Sequence, residues 1–419
     1  MAALISQSGS FGSSALQQEI TRLAARPEVR SACAWLRAQE PQFAHWQMQV
    51  ASIPAPPFGE GTRAEWLMER FHELDLEDVH IDEAGNVLGI HPGVISGQCV
   101  SLSAHIDTVF PVNTPLNIRQ QGTRLFGPGV SDNGAGITAL LAIAAALRVC
   151  KVEHPLPILF IGNVGEEGEG DLRGMRHIFS NGQHKDSIVA SLILDGAGSD
   201  TIVAEALGSR RFEVIVRGPG GHSWSDFGTP NPIVVLAQAV QAFTQTPVPA
   251  SPKTTFNIGV IRGGTSVNSI PESASMRVDI RSTSMAEMER LEANLRYAID
   301  AAIETVQSNA RSGPQRHSYK LSAEVIAIGN RPAGELDASA RILHVIRAVD
   351  AHLGNGSQVQ RASTDANVPL SLGREAIAIG GGGSGGGAHT LQEWFDCSGR
   401  ELGLKRILLS LLTLTGTGE

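Results

Sequence analysis

Residues 157–170 read PILFIGNVGEEGEG, and this stretch most constrains what the chain can fold into. Residues 158–161 form a short unbroken apolar run, as expected of a strand buried on both faces. The run leads into a turn that presents Glu166 and Glu167 side by side. Adjacent carboxylates repel, and a chain rarely sets two at the mouth of an apolar strand without a counterion. A divalent metal would supply one, with one Glu binding it while its neighbour handles a proton. The plain alternative is a solvated acidic turn, since Glu169 and Asp171 follow closely.

Two other apolar strands end in the same way. Residues 99–104 run into His105-Ile106-Asp107. Residues two apart in an extended segment face the same side, so His105 and Asp107 project together at a strand's C-terminal end. Sites gather at that edge in open α/β sheets. An Asp beside a ligating His fixes the imidazole and raises its basicity; otherwise His105 is an ordinary strand-end histidine. Residues 188–194 form a third such strand, closing on Asp195-Gly196. Between the first and second lies Gly127-Pro128-Gly129-Val130-Ser131-Asp132-Asn133-Gly134, an irregular loop before an apolar helix over 136–149. Asp132 or Asn133 suits its N-cap. Asn133 could cap while Asp132, at the loop tip, bridges two metals.

The rest of the chain fits an α/β fold with an insertion. Residues 15–50 have helical spacing, 51–63 (ASIPAPPFGEGTR) form a loop, 64–74 a helix, and 79–81 and 87–90 short strands. Over 210–330 the pattern predicts strand 211–217, helix 232–244, strands 254–261 and 273–281, helix 286–307 and strand 320–328. That βαββαβ order is the ferredoxin-like split motif. The domains are therefore expected at 1–209, 210–330 and 331–419, the first and last forming one catalytic body. Gly220-Gly221-His222-Ser223 occupies the first strand-to-helix loop of the insertion. Helix 338–353, strand 376–379 and a last helix over 399–412 follow. Residues 380–387 are all glycine except Ser384 and lie between that strand and His389. This placement predicts close backbone approach to a ligand, and the run lacks the lysine ending of a phosphate loop.

Composition removes several classes of function. The 419-residue chain carries a net charge of −9 and no basic run, which argues against nucleic acid as a partner. No apolar run approaches the roughly 18–20 residues of a membrane span. The opening MAALISQSGSFGSSALQQ lacks the charged start of a secretory signal. The cysteines, Cys33, Cys99, Cys150 and Cys397, are dispersed without a CxxC pair and read as buried thiols. A cytoplasmic enzyme is the expectation.

In chain order the residues of interest are His105, Asp132, Glu167, Asp195 and His389. Two imidazoles and three carboxylates are what two Zn²⁺ ions with a shared bridge need, and Co²⁺ or Mn²⁺ suits the same donors. The segments SAHIDTV, GPGVSDNGAGITALL, GNVGEEGEGDLRG, LILDG, GGHS, NSIPESASMRVDIR and GGGAHTLQEW together resemble the co-catalytic zinc metallopeptidases. That family includes peptidase T, glutamate carboxypeptidase, acetylornithine deacetylase, succinyl-diaminopimelate desuccinylase and aminoacylase-1. The resemblance implies a zinc-peptidase catalytic domain with a mixed sheet flanked by helices, plus an inserted lid and dimerisation domain. It also implies that His105 and Asp195 hold one zinc, Glu167 and His389 the other, and that Asp132 bridges through a cis peptide to Asn133. Asp107 would orient His105, and Glu166 would be the general base for a metal-bridging water.

For the insertion, the resemblance implies that His222 reaches a partner subunit's site in a homodimer. Asn268 and Arg281 would grip substrate near a carboxylate. Asp195-Gly196 and the HTLQEW ending resemble the peptidase T-like branch, so the expected substrate is a short peptide; an N-acyl amino acid cleaved by the same machinery is the alternative. A non-catalytic binding protein on this fold would need a broken ligand set or a lost base, and neither is visible. After GGHS the chain reads WSDFGTPNP, with Trp224 and Asp226 where relatives carry small residues, so specificity near the lid loop departs from the family pattern.

Overall fold

The computed structural model describes residues 5–310 and 320–416, with side chains from residue 14 onward. The chain divides into two compact units: Met1–Ala206 with Gly334–Glu419, and Leu207–Ala333.

The first unit is built on a nine-stranded mixed sheet. Its centre is four parallel strands in the order Ile158–Asn163, Cys99–His105, Ile188–Leu194 and Ala376–Ile379. Val87–His91 and then Glu77–Ile81 extend one side in antiparallel fashion. Thr201–Ala206, flanked by Gly334–Glu335 and Gln358–Ala362, extends the other. Every residue of Cys99–His105 and Ile158–Asn163 is buried, as parallel strands covered on both faces require. One covering helix, Gly134–Val149, is buried from Gly134 to Leu147. Register matters most for the site. His105 pairs with Asn163, and Ala104 with Leu194. The three strands therefore end level and deliver His105, Glu166, Glu167 and Asp195 to one edge.

The expected helical stretch over 15–50 is three helices, Ile5–Ala25, Pro27–Ala38 and Glu40–Ala51. Pro27 and Pro41 sit in the first turns of the second and third, where a missing N–H costs nothing, and each ends the helix before it. A small sheet was not foreseen: Ser384–Gly386, Trp394–Asp396, Arg124–Phe126 and Arg119–Gln121. It ties the loop bearing Asp132 to the segment bearing His389. The glycine run packs closely against the chain itself. Gly382 has φ +89°, and a Cβ there would lie 2.6 Å from the Arg400 carbonyl oxygen. A Cβ at Gly385 would collide with Ser131 Oγ.

The second unit is an antiparallel sheet in the order Thr254–Gly263, Ser273–Ser282, Gly208–Arg217, Ser322–Arg331. Helices Pro232–Thr244 and Met285–Ser308 complete the βαββαβ order. Alternate residues Phe212, Val214 and Val216, with Ala274, Met276, Val278 and Ile280, pack against Leu236, Phe243, Leu291 and Leu295 of the helices. This unit thus has its own core. Gly221–His222 and Ser269–Ile270 pair as a short ribbon at one end.

Candidate metal centre

His105 and Asp107 are buried at the end of their strand, with 1% and 0% exposure. The Nδ1 of His105 lies 3.2 Å from the Asp107 backbone oxygen and 3.5 Å from Asp107 Oδ1. With Nδ1 committed to Asp107, Nε2 faces Asp132 Oδ1 at 3.1 Å and Asp195 Oδ1 at 4.0 Å. The Asp107 carboxylate also accepts the backbone amides of Glu166 at 2.9 Å and Glu167 at 2.7 Å. It therefore supports the His105 ring and the glutamate turn together.

Asp132 stands between the two imidazoles. Its Oδ2 is 3.0 Å from His389 Nε2, and the same nitrogen lies 2.9 Å from Glu167 Oε1. The Asp132–Asn133 peptide is cis. Asn133 caps the following helix through Gly136 N at 3.1 Å, accepts Gly196 N at 3.0 Å and donates to Leu194 O at 2.9 Å. One side chain thus fastens the Asp132 loop to the Asp195 turn. His389 has φ +65°, a left-handed conformation that histidine enters more readily than most residues.

Among the described residues, three groups place ligand-type atoms within 4.8 Å of one another: His105–Asp132–Asp195, His105–Glu166–Glu167 and Asp132–Glu167–His389. All seven residues picked from the strand ends and loops, Asp107 included, meet here. Their electrostatics show an excess of carboxylate. Burial, then the charges of Glu166 and Asp132, push the Glu167 carboxyl up to about 8. The hydrogen bond to Asp132 takes His389 up to about 9 against its burial, with Glu167 adding to the rise. His105 is also held well above its usual value, because Asp107 and Asp132 outweigh its burial. A divalent cation fits these nitrogen and oxygen donors and would offset the carboxylate charge.

Arg63 and Asp365 carried no signal in the sequence, and Glu393, although inside the HTLQEW ending, was given no role there. Arg63, 1% exposed, donates to Ile106 O at 2.9 Å and to Ile53 O at 3.1 Å, bracing the strand end. Its burial lowers it to about 10, opposed by the charge of Asp107. Glu393 is buried and accepts the amides of Gly129, Ser131 and Asp132 at 2.8, 2.7 and 2.8 Å. Asp365 accepts Asn163 Nδ2 at 2.7 Å beneath the glutamate turn.

The residues expected from the inserted unit divide into two places. His222 and Asn268 share the ribbon, where Ser223 N donates to Asn268 O at 3.0 Å. Trp224 N and Ser225 N donate to His222 Nδ1 at 3.2 and 3.4 Å, which turns Nε2 outward. Asp226 Oδ2 accepts His222 N at 2.7 Å. Trp224 itself is 87% exposed. Arg281 lies at the other end of Ser273–Ser282, opposite Ser209, and donates from Nε to Asp279 Oδ2 at 2.7 Å. From Ser273 to Arg281 is eight residues of extended strand, about 26 Å.

The profile of Peptidase family M20/M25/M40 matches residues 101–411. A protein called probable carboxypeptidase from Ajellomyces dermatitidis is 31% identical over 227 residues, 50% of this chain and 51% of that protein. One from Aspergillus clavatus is 31% identical over 203 residues, 43% of this chain and 44% of that protein. The chain spans about half the length of these curated relatives. Aminopeptidase PepT from Bacillus cereus is similar in structure, with a TM-score of 0.70 at 19% identity over 89% of this chain and 98% of that one. A dinuclear metal-binding peptidase from Bacillus subtilis gives a TM-score of 0.64 at 16% identity over 91% of this chain and 99% of that one. These likenesses carry the fold, and with the profile match over most of its length the chain belongs to Peptidase family M20/M25/M40.

Proposed function

We propose that the chain is a metal-dependent hydrolase that cleaves an amide bond in short peptides, with Glu166 as general base. The observation that carries this reading is the placement of Asp132, one oxygen 3.1 Å from His105 Nε2 and the other 3.0 Å from His389 Nε2. His105 and Asp195 would hold one ion, Glu167 and His389 a second, with Asp132 shared; zinc suits these donors, as do cobalt and manganese. When bound, such ions polarise the scissile carbonyl and bring the pKa of water from about 16 to near 7.

The chain's own residues then divide the work. Asp107 fixes the backbone of both glutamates, so the Glu166 and Glu167 carboxylates keep distinct directions although adjacent. Glu167 faces His389. Glu166 takes the proton from the attacking water on its carboxylate and returns it to the leaving nitrogen. His222, with Nε2–H turned outward, suits donation to the developing oxyanion. Arg281 suits a free carboxylate on the substrate.

A short peptide is supported by relatives named as carboxypeptidases and by the similar structure named aminopeptidase PepT. Two extended residues reach only about 7 Å, far less than the strand length between the ribbon and Arg281. That separation within one inserted unit supports a homodimer through this unit, with the partner subunit's His222 completing the site. We read the enzyme as cytoplasmic; no helix among the described residues is long and apolar enough to cross a membrane.

The test is product formation by mass spectrometry. Zinc-loaded protein is incubated with a pool of dipeptides, tripeptides and N-acyl amino acids, alongside Glu166→Gln. Loss of peptides from the wild-type mixture, slowed about 10²–10⁴-fold in the variant with metal retained, is expected. Loss of acyl amino acids alone would make the protein a deacylase. Undiminished turnover by Glu166→Gln would overturn the assignment of the base.

A further inference from the structure

We propose that Glu393 is a positioning residue of the metal centre, whose buried carboxylate sets the spacing between Asp132 and His389. The inference rests on the reading that those two residues hold metal. Glu393 Oε2 accepts Gly129 N at 2.8 Å, and Oε1 accepts Ser131 N at 2.7 Å and Asp132 N at 2.8 Å. Converging backbone amides of this kind form an anion-binding nest. Here the chain fills the nest with its own side chain, from a residue 261 positions away from Asp132.

Glu393 is also tied at its backbone, since its carbonyl oxygen accepts Gly127 N at 2.9 Å. The next residue in the chain begins strand Trp394–Asp396, which pairs with Arg124–Phe126. Gly387 O accepts Thr390 N at 3.1 Å and Thr390 O accepts Glu393 N at 3.2 Å, so the segment from His389 to Glu393 is a compact turn. One residue therefore closes a loop through both ligand segments: Asp132 amide to Glu393 carboxylate, Glu393 through the turn to His389, His389 Nε2 back to Asp132 Oδ2 at 3.0 Å.

The chemistry of the arrangement favours this role over simple loop filling. Glu393 is 0% exposed and its carboxyl is raised by burial, opposed by the three amides. Its named partners all donate, so none can accept a proton from it. Burying a second carboxylate within the field of Asp132 is unfavourable unless the amides it captures need to be held. Those amides include that of Asp132 itself. Release would free the Asp132 backbone to move relative to both imidazoles.

The experiment compares wild type, Glu393→Gln and Glu393→Asp. Zinc affinity is measured at 25 °C by competition with a chromogenic chelator, folding by circular dichroism, and kcat and KM on a cleaved peptide. Glu393→Gln turns an NH₂ group toward a backbone amide and should weaken zinc binding about 10–100-fold while the protein stays folded, with the loss in kcat rather than KM. Glu393→Asp keeps the charge, shortens the reach and should fall between the two. A variant that melts earlier yet binds zinc as tightly as wild type would show a purely structural residue and overturn the inference. Wild type that binds no zinc would instead sink the metal-centre reading, and this inference with it.

Discussion

Asp107 Oδ2 accepts the backbone amide of Glu167 at 2.7 Å, and its other oxygen takes the amide of Glu166 at 2.9 Å. A residue expected to steady His105 thus also clamps the two glutamates at the neighbouring strand end. Asp107→Asn keeps one acceptor oxygen and puts an NH₂ where an amide already donates. We expect activity and metal affinity to fall about 10–100-fold, measured as kcat and by chelator competition. Asp107→Ala leaves two buried amides without acceptors, about 1–3 kcal/mol each, and should also lower the midpoint of urea unfolding. Wild-type zinc affinity in Asp107→Asn would show that the clamp does not matter.

The strand ends were legible in the sequence because their signal is local. Apolar runs at 99–104, 158–161 and 188–194 closing on His105, Glu166 and Asp195 needed only parallel pairing to meet, and the register supplies it. The ferredoxin-like order was legible for the same reason, its elements being long and periodic. Arg63, Asp365 and the role of Glu393 within HTLQEW were not, because their partners lie far along the chain: Ile106, Asn163 and Asp132. Strands as short as Arg124–Phe126 and Ser384–Gly386 carry no periodicity to read. The glycine run is ambiguous in sequence, because close approach to a ligand and close approach to the Arg400 backbone call for the same residue.

Asp365 and Asn163 form a second buried pair. Asn163 Nδ2 donates to Asp365 Oδ2 at 2.7 Å, while Asp365 Oδ1 and Asn163 Oδ1 are both buried without a hydrogen-bond partner. A proton on Asp365 satisfies both oxygens at once, as in an amide–acid pair. Burial, followed by the charge of Glu166, raises the Asp365 carboxyl well above its usual value. Asp365→Asn should therefore be tolerated within about 1 kcal/mol, whereas Asp365→Ala should cost about 1–3 kcal/mol by stranding Asn163. The sign with pH follows. A raised carboxyl loses stability as pH climbs above its unfolded value of about 3.9, and asparagine does not titrate. Asp365→Asn should gain on wild type as pH rises; a difference that stays constant with pH would show Asp365 to be unperturbed.

His91 and His154 give the opposite dependence, away from the metal centre. His154 Nδ1 donates to Leu156 O at 2.7 Å, so its Nε2 accepts from His91 Nδ1 at 2.8 Å. Burial lowers His154 from 6.5 to about 4 and lowers His91 as well. A depressed imidazole binds its proton less readily folded than unfolded. Its contribution is full above about pH 6.5 and is lost as pH falls toward 4, at most about 3 kcal/mol. Metal-free wild type should lose stability over that window more steeply than His154→Leu in urea melts. Equal slopes would remove the pair from the account.

The metal reading predicts a selective stabilisation, because the two units have separate cores. The donors His105, Asp132, Glu167, Asp195 and His389 all belong to the first unit. An ion that binds only the folded site stabilises it by about 2.7 kcal/mol at a free concentration 100 times its Kd. Zinc would also relieve the repulsion among Asp132, Glu166 and Glu167. Calorimetry with zinc and then with excess chelator should move the transition of the first unit by several degrees and leave that of Leu207–Ala333 where it is. Asp132→Asn, which weakens a carboxylate placed between both imidazoles, should abolish most of the shift. An equal shift in both transitions, or an undiminished one in Asp132→Asn, would place the metal somewhere other than this cluster.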